Sequence, residues 1–121
     1  MNIKEIAERY VQMFREGKDK EIYVELYGDN PVSIEMPGSP MERCEGMEAI
    51  SKKGQWWYEN VELHSSECSE PIISDDYFAV TFTIDSTDKN TGKRTTMSEV
   101  AVLKVVDRKI VQEQFFYGME K

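Results

Sequence analysis

The sequence predicts an α+β fold in which helices come first and a meander of antiparallel strands follows. Three observations carry that expectation. Apolar residues recur every three or four positions through much of the first sixty residues. From Tyr77 onward they recur every second position. Polar turns, Asp88-Lys89-Asn90-Thr91-Gly92-Lys93 and Asp107-Arg108, then punctuate the second half, so successive strands fold back as hairpins.

Taken in order, Ile3, Ile6, Ala7, Tyr10, Val11 and Phe14 share one helical face, with Lys4, Glu5, Glu8 and Arg9 opposite. Asn2 can cap the start of this helix, and Gly17 offers the left-handed position that ends it. Asp19 is expected to cap a shorter helix through about Tyr27, with Ile22, Tyr23 and Leu26 inward and Gly28 as its stop. Asn30-Pro31 opens an extended segment over residues 32–35, because the residue before a proline is pushed out of the helical region. Pro37, Gly38 and Pro40 force a loop.

From Gly46 the helical period returns, with Met47, Ile50, Gly54, Trp57 and Val61 on one stripe and Trp56 flanking it. Gly54 costs about 1 kcal/mol relative to alanine, so either something packs closely there or the helix is weak at that turn. Residues 61–68, 77–85, 95–106 and 110–117 read as the strands, the last two joined at Asp107-Arg108.

The 121 residues are expected to form one domain spanning 1–121, with 40% apolar residues to close a core and 31% charged to keep its surface wet. Fifteen Lys and Arg against 23 Asp and Glu leave a net charge of −8, which argues against nucleic acid and anionic membranes as partners. No apolar run nears the roughly 20 residues of a membrane span, and Met1-Asn2-Ile3-Lys4-Glu5 lacks the apolar stretch of a secretion signal, so a cytoplasmic location is expected. Cys44 and Cys68 then read as ordinary thiols. With His64 alone, no histidine metal site or Ser-His-Asp triad of the usual kind can be built, and His64 reads as a surface strand residue. No phosphate-cradling loop, dinucleotide fingerprint or nucleophile elbow occurs, so no metal and no cofactor are expected.

Four strings in this order resemble the SnoaL-like branch of the NTF2-like superfamily, which also contains ketosteroid isomerases and polyketide cyclases. They are Glu8-Arg9-Tyr10-Val11, Val32-Ser33-Ile34-Glu35-Met36-Pro37, Glu45-Gly46-Met47-Glu48-Ala49-Ile50 and the ending from Lys109 to Tyr117. The resemblance covers nearly the whole chain. It implies a cone, in which a curved antiparallel sheet wraps three N-terminal helices around a pocket, and a homodimer formed through the sheet's outer face. Of the isomerases' three acid–base groups, Tyr10 matches the tyrosine, whereas the base falls at Met36 and the second aspartate at about Ala101. Steroid isomerisation by that mechanism is therefore not implied. The late-strand aspartate of the cyclases finds no clear counterpart near Phe115.

Inward carboxylates matter more, because desolvation raises a carboxyl's pKa toward the range in which it exchanges protons at neutral pH. A three-residue connection, Val106 to Arg108, puts Glu99 opposite Phe115 and Ala101 opposite Glu113, so that Glu99 and Glu113 share a face. A two-residue connection separates them. The resemblance favours the shared face and makes it concave, with Glu113 as the expected proton carrier, Glu99 beside it and Phe115 and Tyr117 on the same side. The alternative leaves both glutamates solvated or facing a dimer contact. Tyr10 is a core tyrosine or a hydrogen-bond donor into the cavity, and one residue can be both. One of Trp56 and Trp57 is expected in the core and the other at the pocket mouth or the dimer contact. Glu35 is a rim carboxylate or a polar pocket residue, with the rim favoured. Two functions follow: a protein that binds a small apolar molecule, or an enzyme that carries out cofactor-free isomerisation, cyclisation or dehydration on one; or a non-catalytic dimeric ligand-binding or interaction module with a small or filled cavity.

Overall fold

In the computed structural model, which describes residues 1–118, helix α1 (Ile3–Arg15) starts at a capping box. The Asn2 side chain accepts the Glu5 N–H at 2.9 Å, and the Glu5 carboxylate accepts the Asn2 N–H at 3.0 Å. The helix ends as Gly17 swings to φ +75°, which lets the N–H groups of Gly17 and Lys18 close on the carbonyls of Phe14 and Met13. Its buried face is Ile6, Ala7, Tyr10, Val11 and Met13.

Helix α2 (Asp19–Leu26) departs from expectation at both ends. Lys18 holds the N-cap position without a side-chain bond, and Asp19 sits inside the first turn, where its carboxylate accepts the Tyr58 hydroxyl at 3.2 Å. The chain turns extended at Tyr27, before Gly28, so β1 (Tyr27–Ile34) begins well ahead of the proline. The reason is pairing: Tyr27 lies against Ile110 in the sheet, and a shift of register before Val32 absorbs Asn30-Pro31.

Strand β2 (Arg43–Glu45) was hidden in the stretch expected to be irregular. After it come α3 (Met47–Asn60), β3 (Val61–Cys68), the two-residue β4 (Ile72–Ile73), β5 (Tyr77–Asp88), β6 (Arg94–Val106) and β7 (Lys109–Tyr117). The strands form one sheet in the order β2-β1-β7-β6-β5-β3, with β4 on β5. It is antiparallel except between β1 and β7, which run parallel. The sheet curves over the helices. Phe78, Val80 and Phe82 of β5, with Ala101, Leu103 and Val105 of β6 and Ile110 of β7, pack against the buried faces of α1 and α2. Among the described residues no helix is long and apolar enough to cross a membrane.

The last hairpin decides which side chains meet. Asp107 and Arg108 both take positive φ, 50° and 64°, so of the two connections the sequence leaves open the structure has the two-residue one. A pure two-residue register would place Glu99 and Glu113 on opposite faces. A bulge at Val111 restores the shared face, because Val105 pairs with Ile110 but Lys104 pairs with Gln112. Glu99 therefore lies opposite Tyr117, not Phe115, and Glu113 opposite Leu103, not Ala101.

Helix α3 packs unlike the other two, since Ile50 is its one buried residue. Its inner face borders open space. A Cβ built on Gly54 meets no atom within 4 Å, which removes close packing as the reason for the glycine. Gly54→Ala should therefore stabilise the fold by about 1 kcal/mol and raise the melting temperature by roughly 3–5 °C. A fall in melting temperature on thermal unfolding would show that the helix needs the glycine's freedom.

Candidate functional site

Between α3 and the concave face of the sheet lies a cavity of about 620 Å³, walled largely by aromatic residues. At its deep end Glu113, 1% exposed, is held in a cage of hydroxyls. Tyr23 donates to its two oxygens at 3.0 and 3.1 Å, Tyr27 donates to Oε1, and Ser33 donates to Oε2 at 2.7 Å. Topology explains the meeting: Ser33 and Glu113 are partners in the parallel β1–β7 pair, and Tyr27 lies on the same strand as Ser33.

The cage continues into an ion pair. Lys53 of α3 donates to Ser33 Oγ and to Glu35 Oε2, the latter at 2.9 Å, with side chains only 15% and 19% exposed. An ammonium has donors and no acceptor, so the Ser33 hydroxyl receives from Lys53 and passes its own proton toward Glu113. Glu35 also accepts the Tyr117 hydroxyl at 3.0 Å, and that hydroxyl lies 2.9 Å from Ser39 Oγ. One continuous polar chain thus runs from Tyr27 through Glu113, Ser33, Lys53 and Glu35 to Tyr117.

Glu99 stands outside this chain. It lines the cavity from β6, and no described residue forms a hydrogen bond to its carboxyl. Burial, then the charge of Glu35, pushes its pKa up to about 7, with Lys53 pulling the other way and Glu113 adding to the rise. The tyrosines are shifted too. Burial first, and the Glu113 charge next, hold Tyr10, Tyr23 and Tyr27 well above the ordinary tyrosine range, so all three stay protonated. For Tyr10, hydrogen bonding to Tyr27 works in the opposite direction.

Every residue that the sequence singled out for the site borders this cavity: Glu113, Glu99, Tyr10, Trp56, Phe115, Tyr117 and Glu35. Tyr10 is both core and wall, its ring set edge-on to Phe78 at 5.5 Å. Trp56 is 38% exposed at the edge, while Trp57 is half-buried against Tyr58. Glu35, expected at the rim, is a paired residue of the wall. Sequence reasoning missed the roles of Tyr27, Ser33 and Lys53. The Lys53 signal was present, since Ile50, Lys53 and Trp57 are spaced three and four apart and put a lysine on the inward stripe. Tyr27 and Ser33 could not be found without the parallel β1–β7 register.

Away from the cavity, His64 is exposed on β3 and bonds to Thr87 Oγ1 at 2.7 Å. Cys44 and Cys68 are unpaired and buried, and burial pushes the Cys68 thiol up to about 11, which keeps it protonated and unreactive. An open depression beside Arg15 and Cys68 has its cation occupied, since Arg15 bonds to Glu70 at 3.1 Å and to the Cys68 carbonyl at 2.9 Å.

The fold has counterparts among known proteins. A structure from Mesorhizobium loti, provisionally described as a SnoaL-like polyketide cyclase and carbohydrate phosphatase, is 37% identical, with a TM-score of 0.92 over 97% of this chain and all of that one. A Bacillus subtilis protein provisionally described as an isomerase is 24% identical, with a TM-score of 0.71 over 98% of this chain and 90% of that one. A Catenulispora acidiphila protein with a ketosteroid isomerase-like fold shares 12% identity, with a TM-score of 0.74 over 98% and 88% of the two chains. These last two show the likeness of fold alone. No protein of curated function matches the sequence. The model of the SnoaL-like domain matches residues 1–117, and with that match the chain belongs to the SnoaL-like family.

Proposed function

We propose that the cavity binds a small, largely apolar carbonyl compound and that Glu99 moves a proton at the carbon beside the carbonyl, in a cofactor-free isomerisation, cyclisation or dehydration. The observation that carries this reading is an unbonded carboxyl with a pKa of about 7 on the wall of an aromatic cavity. Near neutral pH such a group is divided between acid and base, so it can take a proton and return it. Glu113, which the sequence favoured for this task, has its oxygens filled by three hydroxyl donors and serves instead to hold Tyr23, Tyr27 and Ser33 in place. Trp56, Phe115 and Tyr117 supply apolar contact.

The relative's phosphatase description transfers poorly. A phosphate ester here would face Glu35, Glu99 and Glu113, with Lys53 the sole cation among the described residues of the wall. The open volume also favours a ligand over a filled, purely structural core.

The test is proton exchange into 2-tetralone, an apolar bicyclic ketone, in deuterated buffer. Loss of its α-proton NMR signals should be accelerated by the protein, with a rate that rises through an apparent pKa of about 7. A rate equal to that of buffer, with tryptophan fluorescence showing 2-tetralone bound, would leave the non-catalytic ligand-binding module as the better reading.

The same reading includes a homodimer through the sheet's outer face. Val100 and Phe116, cross-strand neighbours there, are 41% and 43% exposed, and Tyr77 adds to the apolar surface. Light scattering should give twice the 14.1 kDa chain mass, and 14.1 kDa itself would overturn the dimer.

A further inference from the structure

We infer that Lys53 is a catalytic residue whose ammonium holds the ligand's carbonyl oxygen while Glu99 works on the adjacent C–H. This rests on the carbonyl ligand proposed above and deepens it by assigning the oxygen's seat. An ammonium has three N–H donors. Lys53 gives one to Ser33 Oγ and one to Glu35 Oε2, and no further oxygen or nitrogen acceptor among the described residues takes the third. The ammonium also lies over the face of Phe115, 5.3 Å from Nζ to the ring centroid, a contact that a ligand oxygen would outcompete.

The head of Lys53 is also fixed. Its two anchors, Ser33 and Glu35, stand two residues apart on one side of the same segment, and both are themselves bonded, to Glu113 and Tyr117. The amine is thus kept from stretching out to solvent as surface lysines do. Beside it on α3, Gly54 leaves open space at the cavity wall where any other residue would place a side chain. Three hydroxyls of the wall are already committed, those of Tyr23 and Tyr27 to Glu113 and that of Tyr117 to Glu35. A fixed cation with an unused donor, facing a largely apolar cavity, is the arrangement that stabilises an oxyanion as it develops.

The step balances without a further reactant. The Glu99 carboxylate takes the α-proton, and the C–H electron pair becomes the C=C bond of an enolate. The carbonyl π pair moves onto oxygen, where the Lys53 N–H holds the negative charge without giving up its proton. The Glu99 carboxylic acid then returns the proton to the same or a conjugated carbon, the carbonyl re-forms, and both groups regain their starting states.

The experiment compares Lys53→Met, the double variant Lys53→Met/Glu35→Gln and Lys53→Arg with wild type, using naphthalene and 2-tetralone as probes. The double variant avoids leaving Glu35 without its cation. Naphthalene, which has no oxygen, should quench tryptophan fluorescence with the same affinity within twofold in all four proteins. Exchange into 2-tetralone should fall at least a hundredfold in both methionine variants and be partly rescued in Lys53→Arg. In wild type, the carbonyl stretch of bound 2-tetralone should move to lower frequency, and this readout needs no variant. Exchange undiminished in the methionine variants, or a carbonyl stretch in wild type unmoved from its value in an apolar solvent, overturns the assignment to Lys53. Failure of naphthalene and 2-tetralone to bind wild type at all would instead overturn the ligand reading beneath it.

Discussion

Glu113→Leu should lower the unfolding free energy by about 3–5 kcal/mol, and the melting temperature by roughly 10–20 °C. Leucine has a similar volume and no acceptor, so the hydroxyls of Tyr23, Tyr27 and Ser33 would be left in a buried site with nothing to donate to. Each orphaned group costs on the order of 1–3 kcal/mol, and the sum is less than additive because the three share one acceptor. Tyr27→Phe makes the control, since it deletes one donor and leaves the carboxylate its others, and a loss of about 1 kcal/mol is expected. Urea unfolding of both variants checks the pair. A Glu113→Leu protein as stable as wild type would mean that the cage does not hold the fold together at the bottom of the cone.

Glu99→Gln should do the reverse, gaining stability while losing exchange activity. The folded-state pKa of about 7 lies above the ordinary value of 4.5, so the folded protein binds this proton more tightly than the unfolded chain does. The resulting stabilisation is complete below about pH 4.5 and is lost as pH rises through about 7, a change on the order of 3 kcal/mol. Glutamine is neutral throughout. Above pH 8 the variant should therefore exceed wild type by about 2 kcal/mol once solvent screening of this partly exposed carboxyl is allowed for, and its stability should vary less between pH 5 and 8. Exchange into 2-tetralone should fall by roughly 10²–10⁴. Stability and activity moving in opposite directions is what a carboxylate kept in an unfavourable place for its chemistry produces. Equal stability of the two proteins at pH 8.5 would contradict it.

Much of this was legible in the sequence because it rests on local chemistry. The Asn2 cap and the Gly17 stop fixed α1, and simple alternation fixed the inward side of β5. What escaped depended on pairings between distant segments. Tyr27 reads as the end of a helix until its partner Ile110 is known. Strand β2 is three residues long and exposed on both sides of Cys44, too short for any period to show. A shared face for Glu99 and Glu113 was favoured by the resemblance, while the alternation left the length of the turn open and tied that face to three residues. The structure reaches the same face by a two-residue turn and a bulge at Val111, which two alternating registers cannot reveal. What moves the proposed role from Glu113 to Glu99 has a related cause: inwardness can be read from alternation, whereas the hydroxyls that fill Glu113 come from α2 and β1, far away in the chain.

The central claim is that Glu99 exchanges protons near neutral pH. Titration of its side-chain carboxyl carbon by ¹³C NMR, with the resonance assigned by its absence in Glu99→Gln, measures this directly. A midpoint near 7 that moves upward in Lys53→Met, where the opposing charge is gone, is the predicted result. A midpoint near the ordinary 4.5 would contradict the acid–base reading, since the group would then be a plain carboxylate at every pH at which the protein works.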